Sequence, residues 1–146
     1  VRRPDARLTL ANFARAQLYA AMATLKIGMD LLFDQEDVRL DTLLGHGGLF
    51  KTPVVGQRLL AGALGTPVSV METAGEGGPW GMALLAAYRK NRAPGQSLEQ
   101  YLAGQVFAGA RGSVQQPDPA DQEGFARFLE HYRKALAVEK AAVAAL

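Results

Sequence analysis

Two successive segments of this chain each combine a short apolar run, a glycine-rich turn and a helical pattern. The first unit has its apolar run at 40–44 and its glycines within 45–48, and the second has them at 67–71 and within 75–81. Short apolar runs bounded by glycine are typical of strands. Because two strands joined through a helix form a right-handed parallel crossover, the sequence predicts an α/β fold with parallel strands and covering helices.

The helices of this first part have recognisable boundaries. A long helix is predicted from about Thr9 to Phe33, since apolar residues recur there at spacings of three and four. A second is predicted to begin at Thr52, an N-cap residue followed by proline, and to end at Gly65 in the left-handed conformation. A third is predicted over about 80–90. The core positions expected on the first and third helices are Phe13, Leu18, Met22, Leu25, Met29, Leu32, Met82, Leu85 and Tyr88.

The last third of the chain is predicted to be helical. Ser97 and Gln100 match a capping box, which indicates a helix through about residue 106, and residues 109–116 are predicted to form a loop. Asp118 then caps a final long helix whose alanine-rich end, 140–146, is expected to lie along a partner or to fray. Its expected core face consists of Phe125, Leu129, Tyr132, Leu136 and Val143. We therefore divide the chain into 1–92, with the two strand–turn–helix units, and a helical tail, 93–146.

Two parallel strands are too few for a stable sheet, because parallel sheets are normally covered on both faces and contain more strands. Either a second copy of the chain completes the sheet, or further strands of the same protein precede Val1. The chain opens Val-Arg-Arg-Pro without methionine, and we favour the second interpretation.

Composition excludes several classes. The 146 residues fit one domain, and 49% are hydrophobic, which argues against disorder. Sixteen Lys and Arg against fourteen Asp and Glu are scattered, so no nucleic-acid footprint is predicted. No apolar stretch reaches the roughly 18 to 20 residues that span a bilayer. With no cysteine and no signal-like start, we expect a cytoplasmic protein.

The first glycine turn, 45–48, is the leading candidate site. Glycines between a strand and a helix let the backbone approach a ligand, and free N–H groups there favour anions and nucleotides. Lys51 adds a cation. The spacing is neither a P-loop nor the dinucleotide fingerprint. A tight turn that merely requires glycine is the competing interpretation.

Other chemistry-bearing residues have simpler interpretations. Glu72 and Glu76 could act as a carboxylate pair, but a solvated or capping role is expected. His46 has no second ligand at metal spacing, and His131 is expected at the surface, so no metal site is predicted.

The order of several short motifs resembles the C-terminal domain of FGGY carbohydrate kinases. The family pattern has a GGGAKSPLW-like run, a Q-x-x-AD helix, an LGRPV-like strand and a GAALLAA helix. The corresponding segments here are 47–53, 57–61, 64–68 and 81–87. The helix at 12–16 and the aromatic spacing at 125–132 also resemble the family. This sequence has Leu49 for the third glycine and Phe50 for the usual alanine. It resembles the ribulokinase-like and xylulokinase-like members of the family, and the Gly-Gly-Leu form is closer to the ribulokinase-like branch.

The resemblance implies an actin-like, hexokinase-like (ribonuclease H-like) ATPase fold that uses MgATP to phosphorylate a sugar. The glycine turn of the family borders the nucleotide, so the implied ATP-binding residues are Gly45, Gly47, Gly48, Leu49 and Lys51. The family's catalytic base, phosphate loops and sugar pocket match nothing in this segment, so we expect no turnover by this chain alone.

We therefore expect the ATP-binding part of a sugar kinase, with a pentulose such as ribulose or xylulose as the acceptor and with ATP and Mg²⁺ as cofactors. The alternative is a kinase-like module, without catalysis, that senses nucleotide or binds a partner.

Overall fold

The computed structural model describes residues 4–145, so Val1 to Arg3 and Leu146 at the end of the alanine-rich segment lie outside the described residues. The chain is α/β, as predicted. In order, its elements are α1 (Leu10–Gln35), β1 (Leu43–Leu44), a first 3-10 turn (Gly48–Phe50), α2 (Val55–Leu64), β2 (Val68–Met71), a second 3-10 turn (Ala74–Glu76), α3 (Gly77–Asn91), α4 (Leu98–Tyr101) continued by a π-helical turn (Leu102–Val106), β3 (Gly112–Gln115) and α5 (Pro119–Ala144).

The three strands form one mixed sheet in the order β1-β2-β3. The predicted parallel crossover is confirmed: β1 lies parallel to β2, with Leu43 opposite Val68. Strand β3 runs antiparallel to β2, with Met71 opposite Gly112, so the prediction of a loop over 109–116 and of parallel strands alone was wrong. This strand has one large apolar residue, Val114, which is exposed, and therefore shows none of the apolar patterning that identifies a buried strand.

The core lies where α1, α2 and α5 meet on β2. The ring of Tyr19 packs edge-on against Phe125, with centroids 5.2 Å apart, and against Phe128, with centroids 5.4 Å apart. Almost all of α2 is buried between these helices and the sheet. The predicted packing role of the aromatic residues of α5 is confirmed.

Helix α1 begins after its Thr9 cap, close to the predicted boundary, but its buried face is shorter than predicted. Met22 is buried and Leu18 and Met29 pack on the core, whereas Phe13, Leu25 and Leu32 are exposed. The same is true of α5, where Leu136 and Val143 are exposed. The later turns of α1 and α5 meet through polar contacts, such as the ion pair of Asp30 with Arg133, so the apolar spacing continues there without a buried face.

Helix α2 starts later than predicted. Val54 has a φ of 69°, and the N–H of Val55 donates to the carbonyl of Pro53 at 2.8 Å. This γ-turn separates Thr52 and Pro53 from the helix, so Thr52 is not its cap. The other end follows the prediction, because Gly65 closes α2 with a φ of 67°.

Helix α3 covers the predicted segment but buries none of its residues, so the expected core positions on it were wrong. Met82 is 72% exposed and Leu85 is also exposed. Tyr88 packs on Tyr101 and donates to the carbonyl of Gln96, which ties α3 to α4 rather than to the sheet. The predicted capping box at the start of α4 is confirmed. Among residues 4–145, no helix combines the length and the apolar character that crossing a membrane requires.

Candidate functional site

A cleft of about 620 Å³ opens at the carboxyl ends of β1 and β2. Its walls are the two 3-10 turns, the end of β2 and the start of β3. Ligands of open α/β sheets bind at this end of the strands, and the volume falls within the range of small-molecule sites. The polar and charged side chains on its walls are Lys51, Gln57, Glu72, Glu76, Arg111 and Ser113.

Gly47 and Gly48 form the bend between β1 and the first 3-10 turn. Gly47 has a φ of 99°, a conformation that side chains other than glycine rarely adopt, and its N–H donates to the carbonyl of Ala74 at 2.7 Å. A Cβ added at either glycine would meet nothing within 4 Å. Within residues 4–145, the N–H groups of Gly48 and Leu49 form no hydrogen bond. Two adjacent backbone donors are therefore unbonded at this bend, which directly precedes Phe50 on the wall of the cleft but does not itself line the cleft.

Gly45 and Leu49 have packing roles. The N–H of Gly45 donates to the carbonyl of Ser69, and a Cβ at Gly45 would lie 2.6 Å from the ring of Phe50. Leu49 lies against Gly56 at the start of α2. Neither residue lines the cleft. Gly45 supports the cleft indirectly, because the absence of a side chain there leaves room for the ring of Phe50, which lines it.

Lys51 reaches across the cleft to the second turn. Its Nζ lies 2.6 Å from Oε1 of Glu76, and its aliphatic stem packs near Gly75. The structure thus brings Lys51 and Glu76 together, while Glu72 lines the same cleft without an ion pair to any described residue. The Glu76 carboxylate is already paired with Lys51, which argues against Glu72 and Glu76 acting together as a carboxylate pair.

Gln57 and strand β3 were missed by sequence reasoning. Gln57 is 3% exposed, and its Nε2 donates to the carbonyl of Val68 at 3.1 Å and of Ser113 at 2.9 Å. Its Oε1 accepts from the hydroxyl of Ser113 at 3.0 Å. The available signal was the resemblance of the segment 57–61, which begins at Gln57, to the Q-x-x-AD helix of the family. Gln57 fastens β3 to β2 and so fixes the third wall of the cleft.

The family resemblance implies two groups at this site, ATP and Mg²⁺. Lys51 and Arg111 on the wall of the cleft, with the two free N–H groups in the turn just before it, fit an anionic nucleotide. Within the described part of the chain, no group of three or more His, Cys, Asp or Glu side chains could hold a metal ion. No described residue is therefore assigned a role in binding Mg²⁺. His46 and His131 are both exposed.

Comparison with known families identifies the family of this chain. The C-terminal domain of the FGGY family of carbohydrate kinases matches residues 2–89. The match covers more than half of the 146 residues, and this chain belongs to that family. No curated protein and no solved structure matches the chain. The matched segment contains both glycine turns and all but the last two residues of α3, whereas β3 and α5 follow it.

Proposed function

We propose that this chain forms one wall of the ATP cleft of a sugar kinase, which transfers the γ-phosphoryl group of ATP to a sugar hydroxyl. The observation that carries the proposal is a cleft of about 620 Å³ lined by residues of both turns, with Lys51 on its wall and the free N–H groups of Gly48 and Leu49 in the turn just before Phe50. The acceptor that we propose is a pentulose such as ribulose or xylulose, on the ground of the Gly-Gly-Leu sequence at 47–49.

The residues of the cleft would act by binding and positioning. ATP supplies the phosphoryl group, and enzymes that transfer it work mostly by orienting the reactants and neutralising charge. Gly47 sets the bend and Gly48 leaves room for a ligand to approach the backbone. Lys51 supplies a positive charge on the same wall, once it leaves Glu76.

No described residue is assigned as a catalytic base, so we propose that phosphoryl transfer also needs residues outside this segment. The edge of β1 that faces away from β2 pairs with no strand among residues 4–145. We propose that this edge receives a strand from elsewhere in the same protein, or from a second copy.

The proposal is tested by titrating ATP into the 146-residue chain by isothermal calorimetry. We expect micromolar binding that Gly48→Val weakens by about tenfold, because its side chain would occupy the space through which a ligand reaches the free N–H groups. Gly28→Val is the matched control, since a Cβ at Gly28 also meets nothing within 4 Å but lies on α1, away from the cleft. Absence of ATP binding, or equal binding by both variants, would contradict the proposal.

Two observations favour the alternative of a non-catalytic, kinase-like module. The lysine of the cleft is already neutralised by Glu76, and Leu49 stands where the family has a third glycine. A coupled assay with ribulose and xylulose, on the gene product that carries this chain, separates the two functions. ADP release that depends on a pentulose supports the kinase, and ATP binding without turnover supports the module.

A further inference from the structure

We propose that Arg111 contacts the phosphate groups of the nucleotide in the cleft. Arg111 directly precedes β3 and lines both the cleft and an adjoining cavity of about 230 Å³. It lies outside the segment that matches the kinase family, residues 2–89, so the match assigns it no role. The inference rests on the function proposed above and adds a binding residue to it.

The backbone of Arg111 is held firmly at the end of β2. The N–H of Glu72 donates to the carbonyl of Arg111 at 3.2 Å. The next residue, Gly112, packs so closely that a Cβ there would lie 3.0 Å from the carbonyl oxygen of Val70. Ser113 is in turn bound by the buried amide of Gln57. The position of Arg111 beside the cleft is therefore built into the sheet, while its side chain is exposed.

The charges around the cleft leave Arg111 as the available cation. Four charged residues line it: Lys51, Glu72, Glu76 and Arg111. Lys51 is paired with Glu76, whereas Arg111 forms no ion pair with any residue of 4–145. Glu72 remains as an unpaired carboxylate on the same wall, and it would repel a phosphate unless a cation intervened. A guanidinium presents parallel N–H donors that match two phosphate oxygens at once, so Arg111 is suited to this contact.

The experiment titrates ATP, ADP and adenosine separately into the 146-residue chain and its Arg111→Gln variant. We expect the substitution to weaken ATP and ADP by about tenfold and to leave adenosine unchanged, because only the phosphates lose a partner. Arg89→Gln, in the exposed last turn of α3, removes the same charge away from the cleft and should change none of the three. Arg111→Lys should recover part of the loss, since it restores the charge without the planar donor pair.

The outcomes separate this inference from the function on which it rests. If the unmodified chain binds ATP and Arg111→Gln binds it equally well, the role of Arg111 is overturned and the nucleotide cleft stands. A parallel loss of adenosine binding would also overturn it, because the side chain would then act on the whole site. Absence of ATP binding by the unmodified chain overturns both. Far-UV circular dichroism and thermal unfolding verify that the variants are folded.

Discussion

The Nζ of Lys51 lies 2.6 Å from Oε1 of Glu76, and this ion pair joins the turn that follows β1 to the turn that follows β2. A second link runs parallel to it, from the N–H of Gly47 to the carbonyl of Ala74 at 2.7 Å. The side chains of Lys51 and Glu76 are 57% and 70% exposed, so their pairing contributes little to stability. Its main consequence is to cancel a positive charge at the mouth of the cleft.

Glu76→Gln should therefore strengthen nucleotide binding. The substitution releases Lys51 and removes a carboxylate from the cleft, and we expect ATP affinity to rise by roughly three- to tenfold in low salt. Glu123→Gln is the control, because it breaks the exposed pair with Arg127 on α5, away from the cleft. Calorimetric titration of both variants measures the effect. Unchanged or weaker ATP binding by Glu76→Gln would show that Lys51 is not a ligand for the anion.

Gln57→Leu should destabilise the chain strongly. The variant leaves the carbonyls of Val68 and Ser113 and the hydroxyl of Ser113 without their partner, and we expect a loss of roughly 2–4 kcal/mol. Ser113→Ala removes one of the three hydrogen bonds and should cost about 1 kcal/mol. Urea denaturation followed by circular dichroism gives both free energies of unfolding. Equal losses for the two variants would mean that the amide of Gln57 does not bind both strands.

Asp121→Ala should also lower stability, because the Asp121 carboxylate joins three helices. It accepts a hydrogen bond from Nε of Arg58 on α2, and Arg15 on α1 lies 4.0 Å away. We expect a loss of roughly 1–3 kcal/mol in the free energy of unfolding by urea, against less than about 0.5 kcal/mol for the exposed control Glu123→Gln. A loss no larger than the control's would show that the ion pair is fully screened.

The hydrogen bond to Asp121, with the attraction between the two charges, raises the pKa of Arg58 above its ordinary value. A raised pKa means that the folded state holds the proton more tightly, so this contribution is complete at neutral pH and is lost only at strongly alkaline pH. The stability difference between Asp121→Ala and the unmodified chain should therefore stay constant as the pH rises from 7 to about 10. Steady shrinkage of that difference over this range would contradict the assignment.

Two glycine substitutions should shift stability in opposite directions. Gly65 closes α2 with a φ of 67°, and Gly65→Ala should cost about 1 kcal/mol because alanine is strained there. Gly28 lies within α1, and a Cβ there meets nothing within 4 Å. Gly28→Ala should stabilise the chain by roughly 0.5–1 kcal/mol. Thermal unfolding of both variants measures the shifts. Stabilisation by Gly65→Ala would contradict the strain expected at Gly65, and destabilisation by Gly28→Ala would contradict the gain expected at Gly28.

Much of the fold was predictable because residues close together in the sequence determine where its helices begin and end. Thr9, Gly65, the Ser97 capping box and Asp118 mark helix ends through their own hydrogen bonds or conformations, and the structure confirms all four. Strand β3 was not predictable in this way, since its pairing with β2 depends on contacts distant in sequence. The predicted buried faces of α1 and α5 were too long for the same reason, because apolar spacing does not show how far along a helix its packing partners reach.

The site was predictable only in part. The glycine turn and Lys51 stand out in the sequence, and the structure brings Lys51 to a cleft. The opposite wall is formed by Gln57 and Arg111. Gln57 is marked in the sequence only by its place in the family-like segment 57–61, and nothing near Arg111 marks it as part of a site. Gly45 has the same sequence signal as Gly47 and Gly48, yet it packs under Phe50, and only the three-dimensional arrangement separates these roles.

The position of β3 and α5 has a practical consequence for where this domain can be cut. A polypeptide that stops at residue 89 keeps the whole family match but loses Arg111, Ser113 and the aromatic side chains of α5 that bury Tyr19. Such a truncation would expose α2 and remove one side of the cleft. The segment that matches the family therefore ends well before the structural unit that covers α2 and completes the cleft.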